Sequence, residues 1–263
     1  MNAIWLALAL LAPDGGGLRF AGSVAAGGGY DGNLLVAPGV GAAGSSVASV
    51  SATGGAAIEP SSSLFLYFGA AVDGERFGTL GELDRTSAGA EAIGVVDLAD
   101  PLALVLGTSG SWNWYADPAR SGASLSARAS LRYRPLSWLA TRAGYAHTWR
   151  DASDPVYATS FGRLFAELEF RPWSRTWLTV GGFAERGDGT FYQEVVATSA
   201  EVPTSTFVPY RAPATVLGAG VGIEQGLGAG IALEAGVGLR RVDAPDGVST
   251  GPAVNAAVVW RFD

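Results

Sequence analysis

From residue 17 to the last residue the chain changes character with a period of two. Val254, Ala256, Val258, Trp260 and Phe262 share one face, and Asn255, Ala257, Val259 and Arg261 share the other. A strand sends successive side chains to opposite faces, so this stretch is a ribbon with one wholly apolar, aromatic-tipped side. The pattern recurs along the chain. Leu125, Ala127, Ala129, Leu131 and Tyr133 oppose Ser124, Ser126, Arg128, Ser130, Arg132 and Arg134, and Leu164, Ala166, Leu168 and Phe170 oppose Arg163, Phe165, Glu167, Glu169 and Arg171. Turn residues cut the alternation into about twelve strands.

Hydropathy decides what such strands can build. Mean hydropathy is +0.25, yet no segment approaches the roughly 18 consecutive apolar residues that span a membrane as a helix. Charged residues make up 16%, against roughly 25% in soluble domains. A hydrophobic chain that cannot cross lipid as a helix can satisfy its backbone there only as a closed barrel. The expected fold is all-β, a closed antiparallel transmembrane β-barrel of about twelve up-and-down strands over residues 17–263.

Tight turns are expected at residues 60–63, 100–101, 135–136, 172–174 and 226–228, alternating with longer connections at 29–41, 74–87, 116–121, 151–155, 187–213 and 242–251. Short turns on one side and longer loops on the other are the pattern of a membrane barrel, and the even count puts both termini on the periplasmic, short-turn side. The longest connection holds Phe191, Tyr192, Phe207 and Tyr210, which suits a hairpin extension or a loop folded inward better than disorder. Aromatics gather at both ends. Trp112, Trp114, Tyr145 and Trp149 fall near longer loops, while Tyr133, Phe170, Trp260 and Phe262, with Trp177, fall near short turns or the terminus. Two such girdles are what a lipid-spanning band requires. Residues 4–12 are uniformly apolar and precede Pro13, which reads as a secretory signal over residues 1–12.

The stretch ending in Trp260 and Phe262 resembles the C-terminal strand of bacterial outer-membrane β-barrels, although Asp263 follows the aromatic here. The resemblance implies a place in a Gram-negative outer membrane, contact with its lipid, and recognition of this strand by the barrel assembly machinery. Tyr30, Asp31, Gly32 and Asn33 are similar to a short motif of several such families, some linked to polysaccharide export.

Sorting charges by parity puts nearly all mid-strand charge on the inner face, because charge facing lipid is costly. Arg128, Arg132, Arg142, Arg163 and Arg171 form an expected basic wall. Glu91, Asp97, Glu224 and Glu234 stand elsewhere around the ring, with Glu167 and Glu169 at the basic edge. Opposed walls resemble the constriction of general porins, which implies a passive channel for small polar solutes. The same charges could instead pair across a narrow interior and leave a closed scaffold for surface binding or export.

Other chemistry is thinly supplied. Net charge is -7 with Arg scattered singly, which argues against nucleic acid, and no Cys is present for thiolate chemistry. No cofactor or transition-metal site is expected; calcium on Asp73 and Glu75 has only the acidity of a loop behind it. The single His, His147, faces outward, and Ser160 on the next strand falls close to it. Outer-membrane phospholipases and lipid A deacylases are similar in carrying His and Ser on the lipid-facing wall, but Trp149 stands where those families place the Ser, and no outward carboxylate or Asn orients the ring. An aromatic belt of Tyr145, His147 and Trp149 is the plainer reading.

Overall fold

The computed structural model describes residues 17–37, 41–197, 204–245 and 247–262; the expected signal lies outside them. Twelve strands form in chain order: β1 (Arg19–Ala37), β2 (Gly41–Ser61), β3 (Leu64–Phe77), β4 (Arg85–Ala99), β5 (Leu102–Tyr115) and β6 (Gly122–Leu136). Then follow β7 (Leu139–Arg150), β8 (Thr159–Trp173), β9 (Thr176–Ala197), β10 (Thr204–Gly228), β11 (Ile231–Ala244) and β12 (Gly247–Phe262). Each pairs antiparallel with its chain neighbour, and β1 closes the ring on β12, with Ser23 opposite Arg261 and Asp31 opposite Ala253. Closure leaves no free edge along the wall.

Period two sets which side chain points where. On β6, Leu131 is 49% exposed while its neighbour Ser130 is 5% exposed. The outer wall is a belt of Leu, Val and aromatic side chains, an apolar surface far larger than a water-soluble monomer carries.

The five short turns fall at or just beyond the expected positions, at 62–63, 100–101, 137–138, 174–175 and 229–230, because β6 runs on through Pro135 and Leu136 and β10 through Gly226 to Gly228. Three opposite connections carry single-turn 3₁₀ helices at Gly81–Leu83, Pro118–Arg120 and Pro155–Tyr157. Asp117 and Asp154 cap the latter two, accepting from the backbone N–H of Ala119 at 3.1 Å and Val156 at 3.0 Å. The other long connections are mainly strand. Segment 187–213 is the hairpin extension, with pairing that continues to Ala197 opposite Thr204; β1 runs to Ala37, and β11 and β12 pair out to Ala244 opposite Gly247. Pro209 and Pro213 lie where β10 pairs with β9 alone, and a strand with a free side tolerates a residue lacking N–H.

The inner face also holds two apolar clusters. Ala57, Tyr67, Ile93 and Val105 pack with Phe65 and Val95 inside β2 to β5. Phe191, Ala212, Ala214, Val216, Val242 and Ala244 pack with Phe161, Phe183 and Tyr210 inside β8 to β11. The Tyr67 ring lies flat over two glycines: a Cβ at Gly69 would stand 2.5 Å from its hydroxyl, and one at Gly55 2.6 Å. Gly69→Ala is therefore expected to push the ring off its seat and cost about 1–3 kcal/mol, read by urea unfolding in lipid vesicles.

Candidate functional site

The ring encloses a cavity of about 560 Å³. Arg128, Arg142, Arg163, Phe165, Glu167 and Glu169 line it from β6 to β8, facing Gly220, Glu234, Gly236, Gly238 and Asn255 from β10 to β12, with Asp31 of β1. The two sides differ in bulk because the strands do: long charged side chains crowd the first, while the second is mostly glycine backbone from which Glu234 and Arg240 project.

The basic side is laced to carboxylates of its own wall, so the expected separation into opposed blocks is softened by local pairing. Arg132 meets Glu169 at 3.3 Å, Arg142 Nε donates to Glu167 at 3.0 Å, and Arg163 bonds Glu185 of β9. The register explains it, since Arg142 stands directly opposite Glu167 and Arg163 opposite Glu185. Arg128 crosses Gly107 of β5 and interacts with Glu91 on β4. Net charge nevertheless stays unequal. Arg128, Arg132, Arg134, Arg142, Arg150, Arg163 and Arg171 point inward from β6 to β8 against Glu167, Glu169 and Glu185. Carboxylates outnumber guanidiniums around the remaining wall, where Asp31, Asp73, Glu75, Glu91, Asp97, Glu224 and Glu234 meet Arg19, Arg85, Arg240 and Arg261. A field therefore runs across the cavity.

Other expected lining residues sit off it. Arg171 stacks on Trp177, 4.9 Å from the ring centre, and donates to the Ser174 carbonyl by a short turn. Trp177 thus points inward and lines the cavity, outside the girdle to which its position near a turn had assigned it. Asp97 is exposed at the end of β4. Glu224 is 7% exposed and accepts two hydrogen bonds from Arg261, at 2.8 and 2.9 Å; Glu234 accepts a third at 2.9 Å. Arg261 and Glu185 were not among the expected site residues, although inward parity marks both. Two aromatics of the basic wall were also missed: Arg142 lies over Phe165 at 5.9 Å and Arg163 over Phe183 at 4.1 Å.

Trp112, Trp114, Tyr133, Tyr145, Trp149, Trp260 and Phe262 are exposed on the outer wall. Trp138 packs edge-on against Phe170 at 5.4 Å, and Trp260 tilts against Phe262 at 5.3 Å. His147 Nε2 stands 2.9 Å from Ser160 Oγ, and its Nδ1 stands 3.0 Å from the Tyr145 hydroxyl. Tyr145 holds the place that no outward carboxylate or Asn fills. Asp73 and Glu75 both engage Arg85, at 2.9 and 3.2 Å, so the carboxylates considered for calcium are held by a guanidinium. Among the described residues no cluster of three metal-binding side chains occurs.

The rim opposite the short turns is laced. Ser153 N–H donates to Ser121 O and Asp154 N–H to Ala119 O, both at 2.8 Å, joining two neighbouring connections, and Thr190 of the long hairpin donates to Val156 O at 2.9 Å. Arg120 is buried at the junction, paired with Asp117 at 3.3 Å, hydrogen-bonded to Tyr192 and stacked over Tyr157 at 4.4 Å. Burial raises the Tyr157 phenol above its ordinary value, and the adjacent Arg120 works against that. β1 and β9 also touch although three strands separate them in the ring.

No protein-family model and no curated protein matches the sequence. Solved structures do. An outer-membrane channel from Pseudomonas putida F1 is similar over 95% of this chain and 97% of that one, with a TM-score of 0.61 and 12% identity. The KdgM porin in complex with disordered oligogalacturonate is similar over 92% of this chain and 99% of its own, with a TM-score of 0.53 and 10% identity. The fold is that of a bacterial outer-membrane β-barrel. At these identities the likeness is one of architecture. What this barrel does rests on its own walls: an apolar exterior, and a charged interior with an open volume.

Proposed function

We propose that the barrel spans a Gram-negative outer membrane, both termini periplasmic, and passes small polar solutes through its charged interior. The observation that carries this reading is the cavity of about 560 Å³, bounded by inward Arg and Glu behind a predominantly apolar outer wall. Water-filled volume lined by fixed charge is how such pores select. The transverse field orients a solute that bears separated charges, and the bare Gly wall leaves room for it. The last strand, β12, is the segment that assembly machinery would read.

The laced rim favours a second reading, a closed scaffold whose outer connections bind a surface partner. Planar-bilayer recording separates the two. A channel gives stable unitary steps, and Arg120→Ala, which unties the rim, raises their amplitude. Silence from both proteins would replace the channel with the scaffold.

A further inference from the structure

The outer wall carries a hydrogen-bonded chain that the channel does not use. Ser160 Oγ, His147 and the Tyr145 hydroxyl run in sequence, with contacts of 2.9 and 3.0 Å. All three side chains point outward from β7 and β8, where Trp149 pairs with Ser160 and His147 with Gly162. In the tautomer with hydrogen on Nδ1, that N–H donates to the Tyr145 oxygen and leaves the Nε2 lone pair facing the Ser160 O–H. A base in contact with a hydroxyl and itself held by a third group is the arrangement that activates a serine.

Three features say what such a serine would meet. Trp149 lies at the same height and tilts over His147 at 4.1 Å, with Trp112 and Trp114 exposed toward the same rim. Exposed tryptophans of this kind sit at the level of lipid headgroups, where acyl esters are held. Directly below, the outer wall carries a shallow, open groove of about 710 Å³. Its floor is Ala129, Ala143, Ala166 and Gly182, its sides include Leu131 and Leu164, and Tyr145 lines it as well. Finally, a Cβ at position 162 would stand 2.5 Å from the Tyr145 hydroxyl, so a side chain there would displace that hydroxyl from its place beside the histidine.

We infer that Ser160 and His147 form an ester-cleaving site on the outer wall, positioned by Tyr145, with an acyl chain of an adjacent ester-linked lipid seated in the groove below. Ser160 Oγ adds to the acyl carbonyl while its proton passes to His147 Nε2. The bond from carbonyl carbon to the lipid alcohol oxygen breaks, and that oxygen takes the proton from Nε2. Water then attacks the acyl-serine, giving one proton to Nε2; the fatty acid leaves and the proton returns to Ser160. Nothing is oxidised or reduced. The site shares with the channel only the premise that this wall faces lipid, and conductance of Ser160→Ala, expected to equal that of the parent protein, keeps the two readings separable.

The test uses the full chain refolded in phospholipid vesicles and exposed to an alkyl fluorophosphonate that partitions into lipid. One adduct on Ser160 is expected, together with fatty acid released from the vesicles. Ser160→Ala should abolish both, and His147→Gln should slow labelling on the order of a hundredfold. Tyr145→Phe should slow it several-fold and move its pH profile, a change that loss of packing alone does not produce. Heat-modifiable electrophoretic mobility reports folding of each variant. No adduct on folded protein, or labelling unchanged in His147→Gln, would overturn the assignment and leave these residues an aromatic belt.

Discussion

Arg261→Ala is expected to destabilise the barrel by about 3–5 kcal/mol, because it strands two carboxylates around one missing cation. The Arg261 side chain is 11% exposed, and it holds Glu224, whose side chain is 9% exposed, and Glu234 at 22%. It therefore ties β12, the strand that closes the ring on β1, to β10 and β11. Urea unfolding in vesicles measures the loss. A triple variant that also carries Glu224→Gln and Glu234→Gln should recover most of it, since removing all the charges removes the stranded pair as well. A loss below about 1 kcal/mol, the range of exposed ion pairs, would mean that water reaches these groups freely.

The second large effect concerns ion preference. Arg128→Gln with Arg163→Gln should shift permeability toward cations, and Glu167→Gln with Glu169→Gln should shift it toward anions. All four side chains line the cavity. A unit charge about 7 Å from a passing ion contributes roughly 0.6 kcal/mol in a water-like medium. Two charges shift a cation and an anion by roughly 1.2 kcal/mol each in opposite directions, which gives roughly a fiftyfold change in the permeability ratio before screening. Reversal potentials in a salt gradient read both signs, and the shifts should shrink as salt rises. Shifts of the same sign from both double variants would contradict a lumen governed by these side chains.

The strand count and the facing of most side chains, Trp177 excepted, were legible because adjacent residues meet opposite surroundings. Leu131 and Arg132 cannot exchange faces without putting charge on the apolar wall. Strand ends were less legible. Residues 187–213 contain Gly187, Gly189, Pro209 and Pro213, which break the alternation without breaking the ladder. Side-chain partners were out of reach: Arg261 finds Glu224 and Glu234 through a register between strands, which no local pattern encodes. The inner apolar cluster did leave a mark. Leu64 to Phe68 and Leu102 to Leu106 are apolar on both parities, and such a run means that both faces are apolar. Tyr145 was also within reach, since residues two apart on a strand share a face.

The central claim, an apolar wall around a water-filled interior, is tested most directly by two adjacent residues of β9. Thr179 lines the cavity, and Val180 is 51% exposed on the outer wall. The chain has no cysteine, so Thr179→Cys and Val180→Cys each introduce a single thiol. In vesicles, a charged, membrane-impermeant maleimide should label Thr179→Cys and spare Val180→Cys, while a lipid-soluble maleimide should label Val180→Cys. Labelling of Val180→Cys by the charged reagent, or protection of Thr179→Cys from it, would contradict the account.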